Sequence, residues 1–139
     1  MATTAGSARA DVELRLPADG AYASVLRTTA AGLAARLDFT IDDIEDLRMA
    51  AGEAHAMVLA EADDTADLTC EFFLGQGSLT LRMSVPATNP GQPDYESFGW
   101  QVLSTLAAEV AAEASPERFT VTLTTVSDLL AATDPPAST

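Results

Sequence analysis

The chain has 139 residues, 47% of them hydrophobic, which suits one compact domain built on a single core. It carries 21 Asp and Glu against 7 Arg and no lysine, a formal net charge of −14; this argues against nucleic acid as a ligand, because a polyanion is held by clustered cations, and it repels anionic membrane surfaces. One cysteine, Cys70, excludes an internal disulfide and a Cys-based zinc cluster, and no apolar run approaches the roughly 20 residues that span a bilayer.

Residues 1–10 and 132–139 are rich in small residues and proline and are expected to be disordered, leaving a domain over 11–131. The first ten residues lack the charged start and apolar centre of a signal peptide, so a cytoplasmic protein is expected. Residues 12–17, VELRLP, alternate Val12, Leu14 and Leu16 with Glu13 and Arg15, the period of a half-buried strand that Pro17 and Gly20 end. From 21 to 37 the apolar residues Val25, Leu26, Ala30, Leu33, Ala34 and Leu37 fall at helical spacing. Thr40 is a good N-cap for a second helix reaching about Ala62. Asp42, Asp43, Glu45 and Asp46 stand in its opening turns, and Ile44, Leu47, Ala51, Ala54 and Val58 form its core stripe.

Strands over 66–74 and 79–85 are joined by Gly75-Gln76-Gly77-Ser78, a hairpin connection. Three prolines between Pro86 and Asp94 dictate an irregular loop. The spacing of Val102, Leu103, Leu106, Val110 and Ala114 predicts a third helix from about Ser97 to Ser115, and 118–126 reads as a last strand with Phe119, Val121 and Leu123 inward. The order β-α-α-β-β-α-β predicts a two-layer α/β (α+β) sandwich, with three helices on one face of a mixed, mostly antiparallel sheet.

Conventional catalytic groups are scarce. His55 is the lone histidine, expected as an ordinary helix-surface residue, and Cys70 is expected to face the core. No nucleophile-elbow, zinc-protease or phosphate-loop motif occurs. Glu53 shares a second face of the second helix with Asp46, Ala50 and Met57, turned away from the apolar stripe.

The strand VELRLP, the helix YASVLRTTAAGLAARLDF and the stretch IDDIEDLRMAAGEAHAMVLAEA together resemble the RsbW-type anti-sigma regulatory factors, serine protein kinases of the GHKL ATPase superfamily. The likeness continues through ESFGWQVLSTLAAEV and the closing strand, and its Ser-Phe-x-Trp sequence is most similar to the actinobacterial stress-sigma branch. The resemblance implies the histidine-kinase-type ATPase fold. It also implies a protein that holds a stress or sporulation sigma factor and releases it when an anti-anti-sigma protein of the STAS fold takes its place.

Active members of that family phosphorylate the antagonist with ATP and Mg²⁺, using a helix-borne Glu as base and, four residues on, an Asn that holds the metal. Glu53 matches the Glu, but the Asn position is Met57, whose soft thioether cannot replace an amide oxygen on magnesium. The adenine-reading Asp has no counterpart, since no acidic residue lies between Arg82 and Asp94. The phosphate-contacting glycines survive as Gly91 and Gly99, the latter flanked by Phe98 and Trp100. The resemblance therefore implies a degenerate nucleotide pocket with Glu53 as a vestigial base and no cofactor. The alternative is an active ATP-dependent kinase whose metal is held by substitutes such as Asp46 or Asn89.

The family's partner-contacting arginine matches Arg27, and Asp46, Arg48 and Glu53 are expected to extend that surface. Family members dimerise through the outer sheet face. This implies a homodimer that hides apolar groups such as Leu14, Leu16 or Phe72.

Overall fold

A computed structural model describes residues 9–128; of the ends expected to be disordered, 1–10 and 132–139, all but residues 9 and 10 lie outside the described residues, as does the domain limit at 131. β1 (Val12–Pro17) is followed by a 3-10 turn at Gly20–Tyr22, α1 (Ala23–Arg36), α2 (Ile41–Glu61), β2 (Asp67–Gly75), β3 (Ser78–Pro86), α3 (Phe98–Leu106), β4 (Glu109–Ser115) and β5 (Arg118–Val126). The strands form one sheet in the order β1-β2-β3-β5-β4, and every pairing is antiparallel. The expected two-layer α+β sandwich is the architecture found.

α1 ends in a Schellman arrangement: the Asp38 and Phe39 amides donate to Ala35 and Ala34 while Asp38 takes φ 64. Phe39 tucks into the core there. The next residue, Thr40, caps α2 as expected. Its hydroxyl accepts from the Asp43 N–H at 3.1 Å and the Asp43 carboxylate accepts from the Thr40 N–H at 3.3 Å, a reciprocal capping box. The β2–β3 turn is closed by Gly77 at φ 74, a left-handed conformation that carries no Cβ penalty in glycine.

α2 lies across the sheet, burying Leu47, Ala51, Ala54 and Val58 completely against the inward residues Leu68, Cys70, Phe72, Leu81, Met83, Val85, Val121 and Leu123. Truncating such a residue, Leu47 for example, removes contacts that the neighbours cannot fully close over, at about 2–5 kcal/mol.

Two expectations are corrected here. Residues 109–115 are not the end of the third helix. Ala107 is already extended, and Glu109–Ser115 is a strand paired along its whole length with β5. Val110 and Ala114 stand four apart on a helix but also on the same side of a strand, and the partner strand decides between the two periods. The second correction concerns the outer sheet face. Leu16 and Phe72 are buried and Leu14 packs on the same core, under the helices. The opposite face presents the Thr80 and Thr124 hydroxyls, 2.9 Å apart, and Arg82, whose Nε donates to Glu71 at 2.9 Å while its guanidinium stands 5.0 Å from the Phe73 ring centre. The apolar cause given for a homodimer is therefore absent from that face.

Candidate functional site

α2 is flanked by α1 and α3, and its outer strip forms the floor of a groove of about 470 Å³. Glu45, Met49, Gly52 and Glu53 follow at i, i+4, i+7 and i+8 along that strip, with Arg48 beside them. Arg27 from α1 and Val102 from α3 supply the walls. Arg27 lies over Gly52: a Cβ there would stand 3.5 Å from both Cδ and Nη1 of Arg27, an ordinary contact distance. The arginine stem thus lies across α2 at van der Waals distance. Among the described residues no carboxylate lies within 4.0 Å of Arg27, so its planar fork has no ion-pair partner. Arg48 has a loose one, Nε to Glu45 Oε2 at 3.9 Å, an exposed pair of small energetic weight.

The structure thus brings Arg27, Arg48 and Glu53 together and separates them from Asp46. Asp46 lies with Asp43, Thr105, Leu106 and Asp128 in a second depression, beside the last turn of α3. Glu45, Met49, Gly52 and Val102 were missed in the sequence. Glu45 and Gly52 stand three and four residues from Arg48, and Met49 four from Glu53, which was the available signal for the first three, whereas Val102 depends on how α3 is laid down.

α3 runs back along α2, its first turn over Glu53 and Met57. A Cβ on Gly99 would stand 3.1 Å from Glu53 Oε1 and 3.2 Å from Met57 Cε. Three of the four residues expected around a nucleotide do meet, but they meet by packing on one another. The donor set there is one carboxylate and one thioether, which does not fit the oxygen-rich octahedron that magnesium demands. Among the described residues no group of three His, Cys, Asp or Glu could hold a metal ion.

Gly91 lies elsewhere, at the far end of α2. Its N–H donates to Glu61 Oε1 at 3.0 Å. Glu61 stands four residues beyond Met57 on the same helix face, a spacing legible in the sequence. The loop is pinned a second time by Asp63, whose carboxylate accepts from the Thr88 N–H at 2.9 Å and from the Thr88 hydroxyl at 3.0 Å. Asn89, with φ 48, donates its N–H to the carbonyl of Pro116 in the β4–β5 turn, and Ala87 before it is buried.

His55 is not a surface residue. It is 2% exposed and its Nε2 has no hydrogen-bond partner among the described residues. It stands one turn beyond Ala51, close enough to the apolar stripe for α1 to cover it. Burial, and then the Arg27 charge, hold its pKa below the usual histidine value. Cys70 faces the core as expected, and burial pushes its thiol up to about 12, far from a reactive thiolate.

No protein-family model matches the chain. Curated relatives do match. The serine-protein kinase RsbW of Bacillus cereus is 35% identical over 89 residues, covering 63% of this chain and 54% of the relative. The proteins of the same name from Bacillus mycoides and Bacillus anthracis are 32% identical over 75 residues, 52% of this chain and 47% of each relative. The chain spans about half the length of the curated relatives it matches. No helix among the described residues is long and apolar enough to cross a membrane.

Proposed function

From this relationship to the RsbW serine-protein kinases, we propose that the protein is an anti-sigma factor acting by stoichiometric sequestration. It grips a sigma factor of the stress or sporulation type and gives it up to a STAS-fold antagonist, without spending nucleotide; such work places it in the cytoplasm. The observation that carries this reading is the state of one arginine and three glycine positions. Arg27 lies across Gly52 with its fork open to a carboxylate on another protein, the geometry for bidentate recognition. Gly99 meanwhile packs on Glu53 and Met57, and the Gly91 amide that would meet a phosphate is bonded to Glu61.

The rival is an ATP-dependent serine kinase acting on the antagonist, with Glu53 as base. In its favour is the carboxylate itself, still beside Gly99 in the first turn of α3. The experiment that separates the two has two arms. Size exclusion of the purified protein with each candidate sigma factor from its source should give a co-eluting complex, lost on Arg27→Ala. Calorimetric titration with ATP and Mg²⁺ should give no saturable heat, for the natural chain or for Met57→Asn, because restoring one ligand neither lifts Gly99 off Glu53 nor frees the Gly91 amide. Micromolar nucleotide binding by either protein overturns the nucleotide-free reading.

A further inference from the structure

α3 is apolar round most of its circumference, with Phe98, Trp100, Val102, Leu103 and Leu106 among nine residues, yet only Leu103 is fully buried. A helix of that composition normally has partners on more than one side. One flank is bare. Phe98, Gln101, Val102, Thr105 and Leu106 recur at i, i+3, i+4, i+7 and i+8 and, with Met49 of α2, line a shallow trough of about 270 Å³. Phe98 is 80% exposed and Met49 53%; Ile41, 79% exposed at the start of α2, does not line this trough. Met49 and Val102 also line the groove that holds Arg27 and Arg48, so the two depressions are one continuous surface.

We propose that this surface docks an amphipathic α-helix of a partner protein, its apolar ridge seated on Met49, Phe98, Val102 and Leu106 and its acidic flank paired with Arg27 and Arg48. The inference rests on the reading that the α1–α2 face receives a protein, and it specifies the segment received. Charge complementarity selects the occupant. Two of the seven arginines converge here from different helices, beside Glu45 and Glu53; Arg48 stands 3.9 Å from Glu45, while Arg27 has no carboxylate within 4.0 Å among the described residues and is the cation left open to a partner. A guanidinium beside an apolar trough matches a carboxylate beside an apolar ridge. The nine residues of α3 extend about 12 Å, the length over which a docked helix presents anchors at i, i+3 or i+4, and i+7. An anionic lipid surface is disfavoured by the net charge of −14.

A phage-displayed library of randomised helical peptides, selected on the intact chain, tests this without any sigma factor. Its failure and that of the sequestration reading are therefore recorded separately. The selected peptides should share leucine or aromatic residues at helical spacing with Asp or Glu on one flank. They should shift the methyl resonances of Met49, Val102 and Leu106. Their affinity should fall at least about tenfold on Phe98→Asp and on Arg27→Gln, while Arg118→Gln leaves it unchanged. Circular dichroism checks that the variants fold, which the exposure of Phe98 favours. Selection of no binder, of peptides without carboxylates, or of peptides that bind Phe98→Asp as tightly as the natural chain overturns the proposal. So does self-association of the free chain that Phe98→Asp abolishes, since the occupant is then a second copy.

Discussion

A buried imidazole whose Nε2 has no partner among the described residues is tolerable only while it is neutral. In the unfolded chain His55 takes up a proton at about pH 6.5, whereas in the fold burial and Arg27 hold its pKa lower. The stabilising contribution is therefore fully present above the unfolded value and is lost as pH falls from there through the folded value. Urea denaturation between about pH 7 and pH 5 should show a declining midpoint that flattens in His55→Leu. An equal decline in the variant assigns the loss to carboxylates instead. Glu53, Met57 and Gly99 were legible at this scale, because a helix period and a motif order place them whatever else the chain does. The Arg27–Gly52 contact and the burial of His55 were not, since both depend on where α1 is laid against α2, and no local spacing encodes that.

Among the elements, α2 carries most of the load, and its N-terminus is tied twice. Asp43 closes the capping box with Thr40 and also accepts the Asp128 N–H at 2.8 Å, joining the helix start to the chain that leaves β5. Burial alone would raise its pKa, but the bonds from Asp128 and Thr40 outweigh it and the net shift is downward. Stability from this carboxylate is therefore present above its unfolded pKa and lost only as pH falls through the lower folded one. Thr40→Ala should cost about 1 kcal/mol by urea titration, and Asp43→Ala more than Thr40→Ala, since it also orphans a distant amide. Equal losses would mean that the bond to Asp128 contributes nothing. The boundaries of α2 and of the β2–β3 hairpin were readable because Thr40 and Gly77 are local signals. β4 was not, because alanines favour helix intrinsically and Glu109–Ser115 acquires its strand form from pairing with β5.

For the whole molecule, surface chemistry decides which contacts are open. The outer sheet face is a lattice of threonines with the Glu71–Arg82 pair among them, and covering it would desolvate an ion pair in exchange for little apolar area. Sedimentation equilibrium at micromolar concentration should return the mass of one chain, and a stable dimer disrupted by Arg82→Ala would contradict this.

The bond from the Gly91 amide to Glu61 has a physiological corollary. An anion arriving at that amide must first displace the molecule's own carboxylate. On the proposed reading, such a switch would follow the supply of competing polypeptides rather than the ratio of ATP to ADP.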